Sequence, residues 1–134
     1  MRHSLMMGHR YALLKEMFDQ MVVPRNADLI PVYYHPDFRM QTNQIEQGYE
    51  EFRSDHLRYY AQSSGISYRV EYDDETVIED EHGVACRVWI TTQHGSQEPN
   101  RIEVLLIAKY LDERIHRLWE LTLPNWSTLA GFGE

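Results

Sequence analysis

The apolar residues of this chain repeat with two different periods. Between His9 and Val23, Tyr11, Leu14, Met17, Phe18, Met21 and Val22 recur every three or four residues, which marks one face of an amphipathic helix, and Pro24 ends the run. Asn26 is placed to cap a second, shorter helix that turns Leu29, Ile30, Tyr33 and Tyr34 inward, with Pro31 in its first turn. His35-Pro36-Asp37 breaks that helix. Phe38 to Thr42 then alternates as a short strand with Phe38, Met40 and Thr42 on one face. Gly48 opens a third helix over 49–62, striped by Tyr49, Phe52, His56, Tyr59 and Tyr60, and Ser63-Ser64-Gly65 terminates it.

Beyond Gly65 the period falls from that of a helix to that of a strand. Ile66 to Asp73 and Glu75 to Glu81 read as one long strand with a bulge near Asp73-Asp74, and His82-Gly83 turns the chain. Val84 to Gln93 sets Val84, Cys86, Val88 and Ile90 against Ala85, Arg87, Trp89 and Thr91 on the opposite face. The stretch from Ile102 to Leu123 is the most apolar of all and predicts a hairpin about Asp112-Glu113-Arg114. Its first strand is apolar on both faces, Ile102, Val104, Leu106, Ala108 and Tyr110 on one and Leu105, Ile107 and Leu111 on the other, so it reads as a central strand covered on both sides. Helices first and long antiparallel strands after predict an α+β fold: three N-terminal helices packed on one face of a curved, mainly antiparallel sheet. Three helices cover one face only, so a homodimer through the other sheet face is expected.

Composition narrows the partners. At 134 residues the chain suits one domain, 1–134. A formal charge of −8 argues against a nucleic-acid backbone or an anionic membrane surface as partner, since both need clustered Lys and Arg. Cys86, the single cysteine, sits in an apolar strand and reads as a packing residue rather than a nucleophile. The first residues lack the apolar core of a secretion signal and no stretch reaches membrane-spanning length, which predicts a cytoplasmic protein. The seven histidines are scattered, so no metal site and no cofactor are expected.

The element order, together with Ala27-Asp28-Leu29, the YYHPDF segment at 33–38, the GYEEF opening at 48–52 and RIHRLWEL at 114–121, resembles the nuclear transport factor 2-like, or SnoaL-like, superfamily. That resemblance implies a cystatin-like cone with a pocket between the helices and the concave face of the sheet. Candidates to line it and bind a small molecule are Phe18, Tyr33, Tyr34, Phe38, Met40, Phe52, Tyr59, Trp89 and Trp119, with His56 as the candidate catalytic group. Laid against ketosteroid isomerase, a member of the superfamily, the chain has Phe18 at the oxyanion tyrosine, Thr42 at the general-base aspartate and a position near Ile107 at the second oxyanion carboxyl. None of the three is retained, so enolisation through those positions is not expected. The acid that SnoaL-like cyclases carry beyond the last-strand tryptophan would fall on Thr122 or Leu123 and is absent too. Glu120, Arg87, Glu103 and His116 complete the acid-base inventory. Whether Glu120 or Trp119 faces the pocket depends on the phase of the last strand, which the sequence leaves open. Two classes of function remain: a small-molecule pocket protein of isomerase, cyclase or dehydratase type acting on a small apolar or polycyclic ligand, or a non-catalytic dimerising module with a vestigial pocket.

Overall fold

The structure, a computed structural model, describes residues 8–126. Helix α1 (His9–Met17) runs into a single wider π turn at Phe18–Val22, where the Val23 N–H reaches back to the Phe18 carbonyl at 2.9 Å. The start of α1 is held by a carboxylate: Glu79 accepts from the backbone N–H groups of Arg10 and Tyr11 at 2.6 and 3.2 Å. This satisfies two of the free N–H groups that every helix start carries. Asn26 caps as expected, its side chain accepting from the Asp28 N–H, but it opens a 3-10 turn (Ala27–Leu29) that leads into the one-turn helix α2 (Ile30–Tyr33).

Strand β1 (Tyr34–Thr42) starts four residues earlier than the alternation at Phe38 suggests. Pro36, which cannot donate to a ladder, lies where the pairing of β1 with its neighbour shifts register between Tyr34 and Arg39. A tight turn at Asn43-Gln44, both with positive φ, leads into β2 (Ile45–Gly48), a strand without apolar alternation, and then α3 (Tyr49–Ala61) begins. Strands β3 (Ile66–Glu79), β4 (Gly83–His94), β5 (Asn100–Leu111) and β6 (Arg114–Leu123) follow as consecutive antiparallel partners. The register break between Asp73 and Ile78 is the bulge expected in β3. Asp112 and Glu113, both at positive φ, form the two-residue turn between β5 and β6.

The sheet order is β2-β1-β6-β5-β4-β3, with β1 and β6 parallel and all other pairs antiparallel. The β5–β6 hairpin therefore lies at its centre. One face carries the core: Ile102, Val104, Leu106 and Ala108 from β5 and Val84, Cys86 and Val88 from β4 meet Leu14, Met17 and Met21 from the first helix and Phe52 from α3. Cys86 is buried among them and its thiol is pushed up to about 11 by burial, which fits a packing role. The other face of β5 is open in the single chain, with Leu105 and Ile107 each 50 % exposed.

Strand β6 changes phase part way along. Lys109 pairs with Arg117 and Tyr110 with Ile115, so His116 is an extra residue in the ladder. Ile115 and Leu118, three apart, are both buried as a result. From Leu118 onward the even-numbered residues Glu120 and Thr122 turn toward the helices, and Trp119 and Leu121 turn away.

Candidate active site

Between the helices and the sheet lies a cavity of about 130 Å³. Its walls come from almost every element. The π turn brings Phe18, Met21 and Val22, β1 brings Tyr34 and Met40, α3 brings Phe52, His56, Tyr59 and Tyr60, and the sheet adds Tyr68, Ile90, Ile102, Val104 and Leu106. The wall is apolar apart from a few side chains, and among the described residues Glu120 is the one carboxyl in it.

Glu120 sits opposite Thr42 in the parallel β1–β6 pair, and Thr42 donates to Glu120 Oε1 at 3.2 Å. Among the described residues no Lys or Arg lines the cavity. Burial without a counter-charge favours the neutral acid, and it pushes the Glu120 carboxyl up from 4.5 to about 7, against the smaller opposite effect of the Thr42 hydrogen bond. A carboxyl poised there exchanges its proton readily near neutral pH.

His56 is half-buried and tilted against Phe52, with ring centroids 4.0 Å apart. Its Nδ1 lies 2.8 Å from the Phe52 carbonyl oxygen. A carbonyl only accepts, so Nδ1 carries the proton and Nε2 of the neutral ring is an acceptor. Burial holds the imidazole below its usual 6.5, only partly countered by the Phe52 carbonyl and by Asp55. The phenol of Tyr34 is raised well above its ordinary range by burial, and that of Tyr60 is raised by the same cause. Both therefore remain neutral hydrogen-bond donors at pH values where Glu120 titrates.

The structure brings Phe18, Tyr34, Met40, Phe52, His56 and Tyr59 to the cavity and sets the other four candidates elsewhere. Tyr33 is buried, but its hydroxyl donates to Glu16 at 2.8 Å on the helix side. Phe38 is fully buried behind the wall, packed edge-on against Tyr34 and Phe52. Trp89 faces outward, because the inward positions of β4 are Val84, Cys86, Val88 and Ile90, and it stacks with the guanidinium groups of Arg87 and Arg101 at 4.8 and 5.0 Å. Trp119 lies on the outer face, 38 % exposed, because of the bulge at His116. Arg87 and Glu103 are on that outer face as well, joined to Asp73 in an ion-paired ladder. Ile107 faces outward too, so no carboxyl at that position would reach the cavity. His116 pairs edge-on with His35, away from the cavity wall.

Gln47, Tyr68, Thr122 and Trp126 line the cavity without having been candidates. Gln47 lies in the strand that lacks alternation, and Trp126 follows the last strand, where no periodic signal exists. Among the described residues no group of His, Cys, Asp or Glu is arranged to hold a metal ion, and no helix is long and apolar enough to cross a membrane.

An open, curved six-stranded sheet with three helices on one face is the cone fold also seen in SnoaL-like and ketosteroid isomerase-like structures. AclR from Streptomyces galilaeus, a candidate hydroxylase, matches with a TM-score of 0.69 at 14 % identity over 91 % of this chain and 95 % of its own. IdmH from Streptomyces antibioticus, a candidate polyketide cyclase, matches with a TM-score of 0.67 at 13 % identity over 93 % and 99 %. A SnoaL-like polyketide cyclase from Agrobacterium tumefaciens matches with a TM-score of 0.59 at 12 % identity over 82 % and 87 %. No protein-family model and no curated protein sequence matches the chain. At these identities the likeness establishes the fold.

Proposed function

We propose that this protein is an acid-base enzyme of the isomerase or cyclase type, acting on a small neutral ring compound held in the cone, with Glu120 as its proton-transfer group. The observation that carries this reading is a carboxyl set in an apolar cavity wall, the one carboxyl there among the described residues, which burial pushes up to about 7. The ionised Glu120 takes a proton from a carbon next to a carbonyl, the phenols of Tyr34 and Tyr60 donate to the oxygen as charge develops, and the protonated Glu120 returns the proton to another atom of the same ligand. Nothing else is consumed. His56, neutral at pH 7, accepts a hydrogen bond from a ligand hydroxyl through Nε2.

Size and charge select the ligand. An apolar protein cavity of about 150 Å³ is known to take a benzene-sized guest, so a cavity of about 130 Å³ suits one ring. With no cation in the wall among the described residues and a carboxylate within it, an anionic ligand is disfavoured. The test is proton exchange at the α-carbon of cyclohexanone-sized ketones in D2O, followed by NMR. Exchange above background that rises through about pH 7 and is lost in Glu120→Gln, while ring ligands still raise the variant's melting temperature, is the expected result. Equal exchange in Glu120→Gln, or no binding of any one-ring probe, would overturn the reading.

We also propose that the working unit is a homodimer through the outer face of the sheet. The apolar residues left open there support it.

A further inference from the structure

Glu120 Oε1 accepts from Thr42, whereas Oε2 has no hydrogen-bond partner among the described residues. The Thr42 hydroxyl is fully buried and meets a second group, Nε1 of Trp126, at 2.8 Å. An indole N–H only donates, so Thr42 spends a lone pair on Trp126 and has one proton left to give. With Glu120 ionised, that proton goes to Oε1, so the hydroxyl is engaged on both sides. Trp126 is itself fastened: its backbone N–H donates to Thr122 Oγ1 at 3.1 Å, and the same oxygen accepts from Asn43 Nδ2 at 2.6 Å. The Asn43 Oδ1 in turn accepts from the Thr122 N–H at 3.0 Å. The segment that follows β6 is thus stapled to the β1–β2 turn, and the indole forms part of the cavity wall, edge-on to Tyr59.

We propose that Trp126 and Thr42 are positioning residues that act as a relay on Glu120, committing Oε1 to a fixed hydrogen bond and leaving Oε2 as the oxygen that exchanges a proton with the ligand. The inference rests on Glu120 being the proton-transfer group. It assigns work to a residue beyond the last strand and to a buried threonine, each of which otherwise reads as packing. The relay has a direction: an indole donor orders a hydroxyl, and the ordered hydroxyl favours the ionised carboxylate. The other titratable groups that face Glu120 across the cavity are Tyr34 from β1, His56, Tyr59 and Tyr60 from α3, and Tyr68 from β3. None of them is a cation at neutral pH, since the phenols bear no positive charge in either form and burial keeps His56 neutral. Among the described residues the Thr42 hydroxyl is therefore the group that favours the charged form of Glu120.

The experiment is a titration of the Glu120 carboxyl without any ligand, by carbon-13 NMR or infrared difference spectra of the whole chain, the signal being assigned by its loss in Glu120→Gln. Thr42→Ser keeps the hydroxyl and should titrate as the wild type does. Thr42→Val removes the donor and should move the midpoint upward by about one pH unit, the size expected when a hydrogen bond to a charged group is lost. Trp126→Phe keeps a ring in the wall but has no N–H, and should move it in the same direction by less. If Thr42→Val does not fold, Trp126→Phe decides alone. An unmoved midpoint in Trp126→Phe, or a midpoint in a folded Thr42→Val equal to that of Thr42→Ser, overturns the relay. Failure of the catalytic reading looks different: the titrations behave as stated, but Glu120→Gln exchanges ketone protons as fast as the wild type.

Discussion

Among single residues, Glu120 and His56 should leave opposite marks on stability. A carboxyl that titrates near 7 in the folded chain and near 4.5 when exposed keeps its proton across that window only in the folded state. Stability therefore falls as pH rises through the window, and the penalty is complete above it. Glu120→Gln, which can still accept from Thr42, should be more stable than the wild type by roughly 2 kcal/mol at about pH 8 and no different at about pH 4, as read by urea unfolding at the two pH values. His56 has the other sign. Its folded value lies below 6.5, so the unfolded chain takes up the proton first and stability is lost as pH falls below that value. An NMR titration should find the His56 ring titrating below 6.5, with a midpoint that moves when a ring ligand is added. The sequence singled out His56 because a helical stripe of apolar residues held an imidazole, and six of the ten candidate side chains do line the cavity. It did not distinguish a residue in the cavity wall from one packed behind it, as Phe38 is, because both positions are buried and apolar. The sequence resemblance would put Phe18 and Thr42 where a ketosteroid isomerase needs a tyrosine and an aspartate, and a cavity of about 130 Å³ is small for four fused rings. Isomerisation of a β,γ-unsaturated ketosteroid should accordingly be undetectable in a spectrophotometric assay.

At the scale of elements, what was legible followed from regular periods and what was missed came from departures from them. The first helix, α3, β4 and β5 repeat cleanly, and the order of the elements was enough to give the architecture. Strand β2 carries Ile45-Glu46-Gln47-Gly48, which has no alternation, and its turn uses Asn43-Gln44 without the glycine that marks such hairpins. The phase of β6 turned on one extra residue at His116. Counting by two from Ile115 sends Trp119 and Leu121 into the cavity, whereas the bulge sends Glu120 and Thr122 there, and nothing in the local sequence announces it. A different constraint was visible but not its strength: His82-Gly83 read as a turn, while Gly83 is buried at the start of β4 with the Ala108 backbone against it. A Cβ at Gly83 would lie 2.1 Å from the Ala108 carbonyl oxygen, which is held in the β4–β5 ladder. Gly83→Ala should cost about 3 kcal/mol or more, because the relief must come from backbone rather than a side chain. Thermal unfolding of that variant, showing a melting temperature within a degree or so of the wild type, would mean that the two strands separate there without cost.

The whole molecule has one unanswered demand, which is the outer face of its sheet. Leu105 and Ile107 are each 50 % exposed, Trp119 is 38 % and Leu121 is 63 %, and all four belong to the two central strands. These residues line one continuous groove on the outer face together with Ala85 from β4 and Gln41, Asn43 and Gln44 from β1 and its turn. An apolar patch at the centre of a sheet is unlike the scattered exposed side chains that monomers tolerate. The proposed homodimer would cover it, since a two-fold contact would set each apolar centre against its equal and leave the charged margin in water. That margin is present: on the outer side of β3, β4 and β5, Asp73, Arg87 and Glu103 are ion-paired, and Arg101 lies within 3.7 Å of Glu71. These charges are already paired within one chain, two guanidinium groups with three carboxylates, so the apolar centre rather than the margin would supply the affinity. Leu121→Glu places a carboxylate in the middle of the contact and meets its own copy there, which should cost several-fold or more in association without touching the cavity. Sedimentation velocity at micromolar concentration should give a mass near twice the 16.0 kDa chain for the wild type and near one chain for Leu121→Glu. If the wild type sediments as a single chain at those concentrations, the outer face is not a dimer interface. If Leu121→Glu stays dimeric, then the two chains meet elsewhere.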